Sequence, residues 1–269
     1  MKYIILVLLF IQSLSGAQNR PEPDQLVLYK TTEQTPLKLH VFLPDSVQSG
    51  DPRPAILFFF GGGWNNGSPT QFYRQAQHIA DRGMIACAAE YRVKNRDDVQ
   101  PDSCVMDAKS AMRYLREHAS DWNIDPNRIA ASGGSAGGHL ALATATLTEM
   151  NDPQDDLSLS TIPNALILFN PVLDTWLYAG SRLGDLANRL SPLQHIQPDM
   201  PPSLIMHGTS DATVPHTQAV DFQKAMKEQE NRCELKLYEG MPHGFFNQTK
   251  YDETIEEATL FLRSLNWIE

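Results

Sequence analysis

The chain has 269 residues, of which 42% are hydrophobic, and this is enough for one α/β domain with a substantial buried core. The formal net charge of −10 argues against nucleic acid or an anionic membrane as a partner, but it does not disfavour neutral substrates. Three cysteines allow at most one disulfide, and we expect none. No Cys/His cluster has metal-ligand spacing, so no metal is expected, and we predict no other cofactor.

Residues 1–17 have the pattern of a signal peptide. Lys2 precedes an apolar run at 3–11, and small residues follow up to Ala17, where Ser15-Gly16-Ala17 is a cleavage-site candidate. The apolar run is too short to span a membrane comfortably. We therefore predict a secreted or periplasmic protein without stable membrane association, in which residues 18–269 form a single domain.

Hydrophobic patterns predict strands and helices that alternate along most of the chain. Residues 24–29 and 37–43 are predicted to open the fold as an antiparallel pair of strands. Later strands are predicted at 55–60, 84–91, 128–132, 165–169, 203–206 and 233–238, and helices at 71–82, 102–119, 136–149, 184–190, 215–228 and 252–265. Alternation of this kind predicts a mostly parallel central sheet with helices on both faces.

The segment at 128–141 contains a G-x-S-x-G motif centred on Ser135, between a predicted strand and a predicted helix. This layout is typical of a nucleophile elbow, in which a sharp turn exposes the serine hydroxyl near a helix N-terminus. Gly133 and Gly137 leave room for the strand and the helix to approach each other. Ser135 is the predicted nucleophile.

The strand predicted at 55–60 ends in three consecutive glycines followed by Trp64. Glycines in this position allow backbone N–H groups to turn toward a ligand, as an acyl-transfer oxyanion requires. We predict that the N–H groups of Gly62, Gly63 and Ala136 form an oxyanion hole.

These motifs resemble those of the α/β-hydrolase esterases of the hormone-sensitive-lipase type and, more closely, of the bacterial acetyl-xylan and feruloyl esterase-like hydrolases. The family carries His-Gly-Gly-Gly-Trp where this chain has Phe60 before the glycines. The resemblance covers nearly the whole chain after the leader, and it implies an α/β-hydrolase fold. No insertion is long enough for a large cap domain.

The resemblance also implies the positions of the catalytic acid and base. Asp211 matches the family pattern His-Gly-x-x-Asp-x-x-Val-Pro, and His243 matches Pro-His-Gly-Phe. The order Ser…Asp…His is the one expected for this fold. Asp174, which also follows a predicted strand, is the competing acid, and His207 is the alternative base.

The family implies a serine carboxylesterase that acts on short-acyl or feruloyl esters of plant polysaccharides. Trp64 and Phe245, which are neighbours of catalytic motifs, and Asp174 are the candidate substrate-binding residues. Three alternatives remain open: an arylformamidase-like amidase, a peptidase-type α/β hydrolase, and an inactive binding module with this fold. The sequence does not indicate the oligomeric state.

Overall fold

A computed structural model describes residues 21–45, 50, 52–178, 180 and 183–269. The predicted signal peptide lies outside these described residues. Among them, no helix has the length and apolar character needed to cross a membrane.

Within the described residues, eight strands form one sheet in the order β1-β2-β4-β3-β5-β6-β7-β8. The strands are β1 Gln25–Thr31, β2 Pro36–Phe42, β3 Arg53–Phe59, β4 Ile85–Ala89, β5 Ile124–Gly134, β6 Ala165–Phe169, β7 Ser203–Gly208 and β8 Cys233–Tyr238. β2 pairs antiparallel with both β1 and β4, whereas the other pairings are parallel. The predicted opening pair and the mostly parallel sheet are confirmed.

Helices cover both faces of this sheet. They are α1 Tyr73–Ala80, α2 Lys94–Asp97, α3 Pro101–Glu117, α4 Ala136–Thr146, α5 Leu186–Arg189, α6 Thr217–Glu228 and α7 Tyr251–Ser264. Alternate residues of β3 enter two separate hydrophobic clusters, one with side chains of α3, α4 and α6 and the other with side chains of α1 and α7. This two-sided burial explains why β3 reads as a continuous apolar run.

The predicted helices are found to within two residues at each end, except for one that ends earlier, and one further helix was not predicted. α4 ends at Thr146, three residues earlier than predicted, where the ammonium of the buried Lys109 binds the carbonyl oxygen of Leu147 at 2.6 Å. α2 was not predicted, because it has only four residues; its Asp97 carboxylate accepts the N–H of Val93 at 2.8 Å and so caps the turn.

All three cysteines are buried free thiols. They occupy core positions in the sheet and in α3, as small apolar side chains commonly do.

Candidate active site

Ser135 occupies the single turn residue between β5 and α4, with a backbone φ of 56° and ψ of −121°. This conformation is unfavourable for a residue with a side chain, and such strain is concentrated at functional sites. A Cβ on Gly137 would lie 2.0 Å from the carbonyl oxygen of Phe59, and one on Gly133 would lie 2.4 Å from Gly137. The predicted elbow geometry is therefore present, and the two motif glycines are sterically required.

The three glycines that follow β3 pass directly beside this turn. A Cβ on Gly61 would lie 3.3 Å from the Cβ of Ser135. Gly62 and Gly63 have φ values of 133° and 62°, which suit glycine, and Gly61 donates its N–H to Gln71 Oε1 at 2.6 Å. The structure thus brings the predicted oxyanion loop to the predicted nucleophile.

Phe60 supports this loop by apolar packing. Its ring stacks on Tyr91 with centroids 4.0 Å apart, and the Tyr91 hydroxyl donates to the Phe60 carbonyl at 2.6 Å. The same ring lies 2.4 Å from where a Cβ of Gly67 would be, so the loop closes over it. An aromatic stack thereby holds the position where the resemblance in the sequence motifs implies a histidine.

Asp211 and His243 meet at the carboxyl end of the parallel strands. Asp211 follows β7, His243 follows β8, and Nδ1 of His243 lies 2.6 Å from Oδ2 of Asp211. The other carboxylate oxygen accepts the N–H groups of Thr213 and Val214, each at 2.9 Å. The aspartate is buried, whereas a quarter of the His243 side chain is exposed.

The ionised state of Asp211 results from opposing influences on its pKa. Burial alone would raise the pKa of this carboxyl group. Hydrogen bonds from His207, His243 and the Val214 N–H outweigh that effect and hold the pKa well below its ordinary value. Asp211 is therefore a carboxylate that orients His243 with its Nδ1 protonated and its Nε2 free to accept a proton.

Asp174, the competing acid, has a different environment. Its Oδ1 accepts the N–H of Trp176 at 2.9 Å and the hydroxyl of Ser191 at 3.1 Å, which makes it a turn-stabilising residue. It is not among the described residues that line the cavity beside Ser135. The structure does not bring Asp174 together with His243.

A cavity of about 440 Å³ opens beside Ser135. Its described lining residues include no Asp, Glu, Lys or Arg. They are Gly61, Gly62, Gly63, Trp64, Asn66, Gln71, Gly134, Ser135, Asn170, Val172, Tyr178, Thr213, Val214, His243, Gly244, Phe246, Asn247 and Gln248. Such a cavity suits an uncharged ligand that is bound through neutral hydrogen-bonding groups.

The two predicted aromatic contacts have different outcomes. Trp64 borders the cavity, but its side chain is 2% exposed and packs edge-on against His139, with centroids 5.0 Å apart. Phe245 is fully buried against Tyr238 and is not a lining residue, so its prediction as a substrate contact was wrong. Its neighbour Phe246 lines the cavity instead.

Two site residues escaped the sequence analysis, Gln71 and Asn170. Gln71 holds the glycine loop. His207, considered as the alternative base, contacts Asp211 at 3.2 Å, a contact that the sequence analysis did not predict. Asn170 accepts the N–H of Gly244 at 3.2 Å and has a φ of 36°. The Asn-Pro pair directly after β6 was an available signal, because asparagine tolerates a positive φ.

No group of three or more His, Cys, Asp or Glu in the described part of the chain has an arrangement that could hold a metal ion. His139 has a structural role, as a buried histidine on α4. Burial lowers its pKa to about 4, and its Nε2 bonds the carbonyl oxygen of Leu190 at 2.7 Å.

Solved structures of known proteins resemble this architecture over nearly its whole length. The propionate-bound esterase Est2 of the planctomycete Thermogutta terrifontis is 42% identical, with a TM-score of 0.87 over 93% of this chain and 97% of that one. The same esterase is known with butyrate bound and phosphorylated by paraoxon.

Curated relatives are longer. The acetylxylan esterase of Xylanibacter ruminicola is 28% identical over 83% of this chain and 47% of its own length. The probable carboxylic ester hydrolase LipM of Mycobacterium tuberculosis is 30% identical over 65% of this chain and 45% of its own. The chain thus spans about half the length of the curated relatives it matches first.

The BD-FAE family matches residues 39–175 and 170–226, which include Ser135, Asp211 and the glycine loop. The family match, the fold and the esterase relatives agree with the resemblance seen in the sequence motifs. The chain belongs to the BD-FAE family, among the α/β-hydrolase esterases of the hormone-sensitive-lipase type.

Proposed function

We propose that the protein is a serine carboxylic ester hydrolase whose catalytic residues are Ser135, His243 and Asp211. The observation that carries this proposal is the 2.6 Å contact between His243 and the buried Asp211 beside the strained turn of Ser135. Ser135 and His243 line one cavity. A nucleophile, a base and an orienting carboxylate are the three components that acyl transfer through a serine requires.

In the proposed reaction, Ser135 Oγ attacks the ester carbonyl carbon while His243 Nε2 takes the hydroxyl proton. The tetrahedral intermediate collapses, and the alcohol leaves with the proton that His243 returns. Water then attacks the acyl-enzyme with His243 again as the base, which releases the acid and restores Ser135. Asp211 remains ionised throughout and stabilises the imidazolium.

Backbone N–H groups stabilise the negative charge that develops on the carbonyl oxygen. Gly62 and Gly63 are positioned by the loop beside Ser135, and Ala136 is the first residue of α4. The first N–H groups of a helix have no intrahelical acceptor and lie at the positive end of its dipole. This arrangement supports the assignment of all three groups to the oxyanion hole.

For the natural substrates, we propose acetyl or other short-acyl esters, including acetate or ferulate linked to plant polysaccharides. An uncharged cavity of about 440 Å³ favours a neutral ester over an anionic or cationic one. The propionate- and butyrate-bound forms of the Thermogutta esterase, together with the Xylanibacter acetylxylan esterase, support the short acyl group. Export through residues 1–17 would deliver the enzyme to such polymers.

Rates on nitrophenyl esters with increasing acyl length test this function. Each methylene in a hydrophobic pocket changes discrimination by about 1–3 kcal/mol, so kcat/KM should reach a maximum at about two to four carbons. An optimum at about ten carbons or more would contradict the short-acyl proposal and favour a lipase. Rates on acetylated xylan and on methyl ferulate then distinguish acetyl esters from feruloyl esters. Inactivity on every saccharide ester tested would contradict polysaccharide esters as the substrate class.

Covalent labelling tests the nucleophile independently. Paraoxon should inactivate the enzyme and leave one diethylphosphoryl group on the peptide that contains Ser135, as judged by mass spectrometry. A label on another residue would contradict the assignment. An aryl formamide assayed beside the esters tests the amidase alternative, which predicts the higher kcat/KM on the formamide.

A further inference from the structure

The Asp211 carboxylate is held between two histidines. Its Oδ2 lies 2.6 Å from Nδ1 of His243 and 3.2 Å from Nε2 of His207. The side chains of Asp211 and His207 are completely buried. His207 is the penultimate residue of β7, so the central sheet itself supports one side of the acid.

The contacts of His207 determine its tautomer. Its Nε2 hydrogen-bonds the Val214 carbonyl oxygen at 2.9 Å and lies 3.2 Å from Asp211 Oδ2, so this nitrogen carries the proton. Its Nδ1 is buried without a hydrogen-bond partner among the described residues. The hydrogen-bonding capacity of this ring is therefore used at Nε2, on the side of the acid loop.

This geometry also separates the roles of the two histidines. His243 is partly exposed and borders the cavity, whereas His207 is fully buried and has its Nε2 proton committed to the acid loop. His207 therefore does not act as the alternative base.

We infer that His207 is a positioning residue, whose Nε2–H fixes the orientation of the Asp211 carboxylate so that Oδ2 faces His243. The inference rests on the proposed function and deepens it. The Asp211 Oδ1 is anchored by the N–H groups of Thr213 and Val214. Besides His243, His207 is the only side chain whose nitrogen contacts this carboxylate among its described contacts. Two fixed oxygens define the plane in which the catalytic imidazole must lie.

The first test replaces His207 by Met and by Gln. Methionine fills much of the volume but has no donor, whereas the glutamine amide reaches the place of Nε2 and keeps one. Loss of a hydrogen bond to a charged group predicts that kcat of His207→Met falls by about 10- to 100-fold, with KM changed by less than about two-fold. His207→Gln should retain at least about a third of wild-type kcat.

The second test is a double-mutant cycle with Asp211→Asn. Because His207 is proposed to act through the carboxylate, His207→Met should change kcat by less than about two-fold in the Asp211→Asn background. A purely structural residue would lower kcat by the same factor in both backgrounds. His78→Met serves as a control for loss of a partly buried imidazole, since His78 bonds Thr259 on the opposite face of the sheet.

Equal kcat for wild type and His207→Met, a loss confined to KM, or multiplicative effects in the cycle would each overturn the inference. Should His207→Met not fold, as judged by thermal unfolding, His207→Asn replaces it, because its shorter amide does not reach Asp211. In that case His207→Gln must retain at least about a third of wild-type kcat, and His207→Asn must fall below that value. Full activity of Asp211→Asn would instead contradict the proposed function, so the two failures are distinguishable.

Discussion

Gln71 accepts the backbone N–H of Gly61 at 2.6 Å, and this bond connects the glycine loop to the segment before α1. The Gln71 carbonyl oxygen in turn accepts a side-chain N–H of Asn247 at 3.0 Å. Asn247 lies four residues after His243 in the chain. Gln71 therefore connects the oxyanion loop with the loop of the base. Preorganised donors contribute to catalysis only when their positions are fixed in advance.

Replacing Gln71 by Leu should lower kcat by about ten-fold, less than the effect of removing an oxyanion donor itself, with little change in the free energy of unfolding. Steady-state kinetics on a short nitrophenyl ester measure the effect. Gln77→Leu is the matched control, since Gln77 bonds only the neighbouring Asp81 among its described side-chain contacts on α1. Equal losses in the two variants would contradict a role for Gln71 in the loop.

The two candidate acids give opposite predictions. Asp211→Asn should lower kcat by about 10⁴-fold, because the amide favours the wrong tautomer of His243. Asp174→Asn should leave kcat within about ten-fold of wild type, because the described contacts of the Asp174 carboxylate are with the Trp176 N–H and the Ser191 hydroxyl and not with His243. A larger loss at Asp174 than at Asp211 would reverse the assignment.

The lowered pKa of the buried Lys109 should make the free energy of unfolding depend on pH. Burial, with a smaller contribution from Arg113, lowers the pKa of this lysine to about 8, whereas an unfolded lysine titrates near about 10.4. Between these pH values the unfolded chain binds more protons than the folded one, so this group makes the free energy of unfolding rise with pH. Below about pH 8 both states are protonated, and the contribution is constant.

Urea unfolding of wild type and Lys109→Met at several pH values measures this contribution. The unfolding free energy of wild type minus that of Lys109→Met should increase by up to about 3 kcal/mol between about pH 8 and about pH 10.4. Lys224→Met, which removes an exposed lysine, separates the effect of burial from that of losing a lysine. A difference for Lys109→Met that is independent of pH would contradict the lowered pKa.

The positions of the strands and catalytic loops were predictable from the sequence to a greater extent than the side-chain contacts within the site. The positions of β3 and β5 and the turn at Ser135 follow from apolar runs that end in glycine-rich motifs, whereas the loops of Asp211 and His243 were assigned from the family resemblance. Their assembly at one edge is a general property of parallel sheets.

Side-chain directions within the loops were less predictable. The choice between Phe245 and Phe246 depends on a short 3₁₀ turn at Phe245–Asn247, which buries the first ring and presents the second to the cavity. The contact of His207 with Asp211 likewise requires the chain to fold back between them, which local patterns do not specify. Such details depend on tertiary packing.

The central claim is that Ser135 is the nucleophile, and kcat/KM of Ser135→Ala on a short-acyl nitrophenyl ester tests it most directly. The variant should fold, because only the hydroxyl is removed, and should lose about 10³-fold or more of the wild-type value. Thermal unfolding confirms the fold of the variant used. Retention of more than about a tenth of wild-type kcat/KM by the folded variant would contradict the account.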